Sequence, residues 1–415
     1  MRDVYIIGAS CTPFGKLPDK SYKALTREVY CGALEDAQLD GAAVHGAYFG
    51  NTILYRDGQA NIGGQVAFTP LVQAGLFPKR APIVNVENAC ATSSTALAMA
   101  VKDIRSGDSD ILAIVGVEKM YLADGARPDA ALFMHGIDAF NPEEWISYYE
   151  RAGEAVGMPF NVSESRSVFM DTYAMQAAWH MKAHGATQRQ IAIAAEKTHR
   201  MGSLNPLAQY KFTPTADEIL ADRPVSGPLT RSMCAPIGDG AAALIVASAD
   251  ALRDLPAPVQ ERAVKIRAIA ITGGFYRDLS EPGLSYEAAQ RAYQKAGVQP
   301  DDIDVAEVHD ATSFSELYQA EMLGFCPIGG GGRLAESGET AREGRIPLNM
   351  SGGLVSKGHP IGATGASMIF ELTAQLRGEA GERQVRAPKL GLAENGGGVM
   401  GFDEAVCTVT ILEKC

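Results

Sequence analysis

The chain has 415 residues, and its 37 Lys and Arg against 49 Asp and Glu give a net charge of −12. That balance argues against a nucleic-acid footprint, which needs clustered Lys and Arg, and no long basic run occurs. Seven cysteines without a CxxC pair argue against a disulfide framework or a zinc ribbon within the chain. The hydrophobic fraction of 46% fits a globular protein long enough for two or three domain-sized units. Met1 to Gly8 reads as a first strand and not a signal peptide, and no apolar run reaches transmembrane length. A reducing cytoplasm and no membrane are expected.

Val4 to Ala9 reads as a strand ending at a glycine-containing turn. Tyr22 to Leu39 is a helical pattern stopped near Asp40-Gly41. Ala47 to Ile53 is a second strand, and Asn61 to Ala74 carries a helix. Pro82 to Val86 is short, apolar and β-branched, as in a buried strand. Glu87-Asn88-Ala89 makes a turn. Leu97, Met99, Val101 and Ile104 then recur near helical spacing up to Gly107. Cys90 therefore stands where a strand hands over to a helix N-terminus. The thiolate is the nucleophilic form, and a helix dipole lowers a thiol pKa. The small neighbours Ala89, Ala91, Ser93 and Ser94 leave room for a substrate. For a lone cysteine the competing reading is a buried structural residue.

Ile111 to Glu118 is a continuous apolar strand. Alternating strands and helices predict an α/β fold with a parallel or mixed sheet covered on both faces. From Tyr121 to Ile237 the pattern loosens. Helical pieces at Ser167–His184 and Thr187–His199 lie among polar, Pro-containing segments, as in a loop domain inserted over the active face. A tight turn and a buried strand follow, from Ile237 to Val246. The second half has strands at Val264–Thr272 and Asp304–Val308 and helices at Tyr286–Ala296 and Ser313–Leu323. Ile346 to Met350 leads to the glycine-rich Gly358–Gly365 and a helix to Leu376. Leu390 to Ala393 is a strand ending in the turn Glu394-Asn395-Gly396-Gly397-Gly398, and Ala405 to Leu412 closes the chain. The two halves share this order. Residues 1–120 with 238–262 make the first, 121–237 the inserted loop domain, and 263–415 the second.

Chemistry gathers where strands end and helices begin. His359 lies in a glycine-rich turn before a helix, where Pro360 fixes the backbone, and could deprotonate Cys90. His309-Asp310 follows a strand directly. Asp310 suits a helix N-cap, and His309 could point into a site as an oxyanion donor.

Four segments carry a resemblance to the thiolase superfamily. They are Asn88-Ala89-Cys90, Cys234 to Ala242, Val308-His309-Asp310-Ala311, and Ser356-Lys357-Gly358-His359-Pro360-Ile361-Gly362-Ala363-Thr364-Gly365. Met170 to Leu204 looks like the sterol-carrier-protein-type and archaeal branch. The resemblance implies a five-layered αβαβα thiolase fold and a homodimer or dimer of dimers. It implies an acyl-cysteine on Cys90, His359 as its activator, and His309 helping to hold the thioester oxygen. A coenzyme A thioester is the implied substrate, with no tightly bound cofactor and no metal. Gly358, Gly397, Gly398, Ser356, Met134 and His135 are the implied coenzyme A-binding positions.

The chain departs from the family where a second reactive cysteine belongs. Glu394-Asn395 stands at one of its two places and Ala311 at the other, and Cys326 and Cys407 lie in other contexts. Glu394 could take over the proton transfer, since burial raises a Glu pKa toward the useful range. The expected reaction is acyl transfer to or from carbon, as 3-ketoacyl-CoA thiolysis or Claisen-type acylation of an activated carbon. The alternative is a retro-aldol lyase acting on a CoA thioester with a small zinc-ribbon and OB-fold partner. A degenerate scaffold is the non-enzyme reading, and the joint presence of Cys90, His309 and His359 speaks against it. Trp145, Tyr148, Tyr149 and Phe160 could line a bulky-substrate pocket or form loop-domain core.

Overall fold

The computed structural model describes residues 2–122, 124–126, 134–162 and 167–415. The strands are β1 (Val4–Cys11), β2 (Gly46–Gly50), β3 (Ile83–Val86), β4 (Ile111–Glu118), β5 (Pro224–Ser226), β6 (Leu229–Thr230), β7 (Gly240–Ser248), β8 (Val264–Gly273), β9 (Val305–Glu307), β10 (Leu390–Gly397) and β11 (Val406–Lys414). The first helices are α1 (Tyr22–Asp36), α2 (Gly63–Gln73), α3 (Thr92–Ser106), α4 (Pro142–Val156), α5 (Val168–His184) and α6 (Gln188–Leu204). There follow α7 (Ala216–Leu220), α8 (Ala249–Arg253), α9 (Ala257–Arg262), α10 (Leu284–Ala296), α11 (Ser313–Met322), α12 (Gly331–Glu336) and α13 (Thr364–Arg377).

Nine strands pair in the order β3-β2-β4-β7-β1-β8-β11-β10-β9. β1 runs antiparallel to β7 over most of its length but meets β8 only at Tyr5 and Ile6. The ladder is therefore two half-sheets joined at one short seam. Side-chain alternation builds the layers. Leu112 and Ile114 of β4 share one core with Leu97 and Val101 of α3 and Met368 and Leu372 of α13. Ala113, Val115 and Val117 face the opposite way, toward α1 and α2. In the second half, Val409 and Ile411 of β11 face Ala288 and Ala292 of α10. The layers run α1/α2, half-sheet, α3/α13, half-sheet, α10, the thiolase fold expected. Each buried Leu or Ile contributes on the order of 1.5–3 kcal/mol, so the central α3/α13 layer is firmly held.

Several expectations are corrected. Among the described residues β3 is an edge strand paired only with β2, and Val84 is 44% exposed rather than buried. β10 continues through Gly397, so Glu394 and Asn395 lie in a ladder with β11 and not in a turn. Ser93 and Ser94 are buried against α13: the Ser93 hydroxyl accepts from the Ala366 N–H at 2.9 Å, and a Cβ at Gly365 would stand 2.6 Å from the Ser94 nitrogen. Those small residues serve helix-to-helix approach. Helix α4 was not expected, although Pro142 at its start, Glu143 and Glu144 in its first turn and Gly157 after it are ordinary helix signals. Its Trp145 and Tyr149 pack with Phe160 and Phe402, which makes these aromatics core. Among the described residues no helix is long and apolar enough to cross a membrane.

Candidate active site

The site forms where two similar turns meet. After β3 the chain passes through Ala89 at φ 46°, then one 3₁₀ turn, Ala89–Ala91, into α3. Positive φ at a residue with a Cβ is strained by roughly 1–3 kcal/mol, and here it swings Cys90 out from the strand end. The partner turn is Ile361–Ala363 before α13. Glu118, at the end of β4, ties the two halves together. Its carboxylate accepts from the Gly362 N–H at 3.0 Å, the Thr52 N–H at 3.1 Å and the Asn51 side chain at 2.8 Å. Gly116 admits that turn, because a Cβ there would lie 2.4 Å from the Gly362 carbonyl oxygen.

His359 Nε2 lies 3.2 Å from Cys90 Sγ, and its Nδ1 lies 2.7 Å from Thr364 Oγ1. The Thr364 hydroxyl donates its one proton to the Pro360 carbonyl at 3.0 Å. It therefore accepts from Nδ1–H, which leaves a lone pair on Nε2 facing the thiol. Burial, with the nearby His309 and Lys357, holds the His359 pKa well below the usual imidazole range. The ring is a neutral base. The Cys90 thiol is pushed up to about 12, by burial first. Its own N–H and that of Gly398 oppose this, while Glu118 and Glu404 add to it. The thiol pKa lowered by a helix dipole is thus corrected: desolvation outweighs it.

His309 follows β9 and sits edge-on to His359, with ring centroids 5.3 Å apart. It is buried, neither ring nitrogen has a partner among the described residues, and burial lowers its pKa to about 4. A buried polar group without a partner is costly, so this ring is built to meet something that enters. Cys90 Sγ and one nitrogen of each histidine converge within 4.8 Å. They line a cavity of about 800 Å³ together with His135, Phe169 and Tyr173, and the exposed Arg223 and Arg231 line it too.

The other expected positions are placed variously. His135 lines the cavity and meets the Tyr55 ring edge-on at 5.2 Å. Met134 packs against the Trp145 cluster instead. Ser356 is buried away from the lining and donates to the Tyr210 carbonyl. Gly358, at φ 111°, leaves space for Gln209. Gly397 lies directly beneath the nucleophile turn, where a Cβ would be 2.3 Å from the Asn88 oxygen and 2.4 Å from the Ala91 nitrogen. Gly398, at φ 71°, aims its N–H at Cys90.

Asn395 points into the central layer and accepts from the Ser94 hydroxyl at 2.8 Å. Glu394 is fully buried and does not line the cavity. Its carboxylate accepts from the His309 N–H at 3.0 Å and the Cys407 S–H at 3.4 Å. Burial, then repulsion from Glu404, raises its pKa to about 8. Asp310 does not cap α11, whose N-cap is Thr312. It accepts from the Leu354 N–H at 2.6 Å and so braces the turn before His359. Sequence reading gave no role to Glu118, Thr364, Tyr173 or Glu404. Glu118 carried a signal as a carboxylate closing an apolar strand, and Thr364 stood inside the glycine-rich segment around His359.

The profile described as the thiolase N-terminal domain matches residues 4–250, and that of the thiolase C-terminal domain-like family matches 276–413. An acetyl-CoA acetyltransferase of Methanothermobacter thermautotrophicus is 38% identical over 406 residues, covering 97% of this chain and 98% of that protein. Sterol carrier protein 2 of Bos taurus is 35% identical, covering 98% of this chain and 74% of that protein. Among solved structures, an Ltp2-ChsH2(DUF35) aldolase aligns with a TM-score of 0.77 at 21% identity, covering 99% of this chain and 97% of the other.

Proposed function

This chain belongs to the thiolase superfamily and is an acyltransferase, and from that premise we propose that it forms an acyl-Cys90 intermediate from a CoA thioester and makes or breaks a carbon–carbon bond. The observation that carries the reading is the Cys90–His359 contact of 3.2 Å with the Nε2 lone pair facing sulfur. As the substrate arrives, the thiol proton passes to Nε2 while Cys90 Sγ attacks the acyl carbon. The Thr364 hydroxyl steadies the imidazolium through Nδ1–H. The N–H groups of Cys90 and Gly398, which reach the Cys90 sulfur in the resting site, take the acyl oxygen in this reading, an interaction worth about 3–4 kcal/mol per donor in other acyl-transfer sites. His309 donates to the oxygen of the second thioester, which satisfies its vacant ring N–H. Arg223 and Arg231 suit the phosphates of coenzyme A.

The carbon partner is an activated one, as in Claisen-type acylation or 3-ketoacyl-CoA thiolysis. We further propose a homodimer paired along the open edge of β3, and a small zinc-ribbon and OB-fold companion, since the aldolase of like fold is a complex with a DUF35 chain. The test is the intact mass of the protein after mixing with acetyl-CoA. An acetyl adduct lost in Cys90→Ala supports the reading. Aldehyde release from a CoA thioester, without an adduct and undiminished in Cys90→Ala, would replace it with the retro-aldol reaction.

A further inference from the structure

Carbon–carbon chemistry at an acyl-cysteine needs a group that gives a proton to, or takes one from, the reacting carbon. The family's second cysteine is missing, and Glu394 in its place turns its carboxylate to the His309 N–H and to Cys407, away from the cavity. Cys234 lines the cavity, but its S–H donates to the Thr230 carbonyl at 3.4 Å. His309 and His359 are already engaged with oxygen and sulfur. That leaves Tyr173.

Phe169, Met170 and Tyr173 lie on one turn of α5 and line the cavity with Cys90. Glu404 is seated against β10 at Gly396, and its charge acts on the Tyr173 hydroxyl. A Cβ on Gly396 would stand 2.4 Å from Glu404 Cγ, so the missing side chain is what lets the carboxylate approach the strand. Glu394 is two residues away on the same strand. From this arrangement we propose that Tyr173 exchanges the proton with the reacting carbon, and that the Glu404–Glu394 carboxylate pair stores it. The inference rests on the acyl-Cys90 reading and supplies its missing acid–base group.

The electrostatics agree. Burial, then Glu404, Cys90 and Glu394 in turn, lift the Tyr173 hydroxyl well above the usual phenol range. Tyr173 is therefore a proton donor at rest. Burial and like charge raise Glu404 to about 7 and Glu394 to about 8, so the pair holds a proton near neutral pH. In the cleavage direction the carbon–carbon bond breaks and its electron pair stays on the departing α-carbon. Tyr173 O–H gives that carbon its proton. The phenolate recovers one from the carboxylate pair, and the thiol of the incoming coenzyme A refills the pair as it takes the acyl group from Cys90. The condensation direction reverses each transfer.

The probe is acetyl-CoA in D₂O, read by mass for two things: the acetyl-Cys90 adduct and deuterium at the α-carbon. Tyr173→Phe should form the adduct at the wild-type rate while α-exchange falls at least about a hundredfold. In the wild type, exchange should rise with pH through about 7, where Glu404 loses its proton. Glu404→Gln should abolish that inflection, which a merely structural role would not do. Wild-type exchange in Tyr173→Phe overturns the proposal. So does an absence of exchange in the wild type, or joint loss of adduct and exchange in folded Tyr173→Phe. Exchange that depends on Tyr173 without any adduct would sink the acyl-cysteine reading and keep this one.

Discussion

His359 is locked in one tautomer by Thr364, because the Thr364 hydroxyl spends its only proton on the Pro360 carbonyl and must accept from Nδ1–H. The ring nitrogen facing Cys90 is thereby fixed as an acceptor. Thr364→Val removes that lock without changing volume much. The acylation rate should fall roughly tenfold to a hundredfold while KM for the CoA thioester stays near wild type. Rapid-quench measurement of the adduct checks this, and an unchanged rate removes Thr364 from the mechanism.

Cys90→Ala should abolish acyl transfer and leave the fold intact, since the turn is held by the Ala91 N–H on the Asn88 carbonyl and by the Thr92 hydroxyl, which accepts from the Asn88 N–H and donates to the Ala89 carbonyl. Circular dichroism and turnover together decide it, and wild-type turnover in the variant would show that the nucleophile is misassigned. In the resting enzyme the thiol, pushed up to about 12, is protonated at neutral pH. Alkylation of Cys90 by iodoacetamide should therefore climb about tenfold per pH unit from pH 6 to 9. A plateau below pH 8 would reveal a preformed thiolate. His359→Ala should slow the labelling further.

Gly397 cannot carry a side chain, because a Cβ would press on the Asn88 oxygen and the Ala91 nitrogen under the nucleophile. Gly397→Ala should destabilise the protein by about 1–3 kcal/mol and displace Cys90 from His359. Denaturant titration and adduct formation should decline together. A stable variant with normal acylation would show that the turn yields more than its contacts suggest.

Glu394 has a folded pKa near 8, above the ordinary carboxyl value of 4.5. A raised carboxyl pKa means that the folded state holds the proton more tightly. Its stabilising contribution is full below pH 4.5 and is lost as pH rises toward 8. Glu394→Gln is neutral throughout, so it should flatten the decline in Tm between pH 5 and 8 and melt a few degrees higher than wild type at pH 8. It should still form the acyl-Cys90 adduct, because Cys90 and His359 are untouched, yet turn over carbon–carbon bonds more slowly. Parallel pH slopes for the two proteins would show that Glu394 is ionised in the fold. Full turnover would leave it no part in proton transfer.

The strand–turn–helix around Cys90, the glycine-rich turn around His359 and the alternating αβ order were legible in the sequence, because apolar spacing and turn residues act over a few neighbours. The family resemblance followed from those same local segments. What joins them did not. Cys90 and His359 are 269 residues apart, and their contact depends on α3 and α13 meeting through Ser93, Ser94 and Gly365 in the central layer. Glu394 read as a turn residue because Gly396-Gly397-Gly398 resembles a loop; pairing with β11 keeps it in a strand, and only that pairing turns its carboxylate toward His309. Val84 read as buried because a strand's composition does not say whether a neighbour covers it. Local sequence set the elements and the reactive groups, while burial, direction and proton affinity came from neighbours brought in from distant parts of the chain.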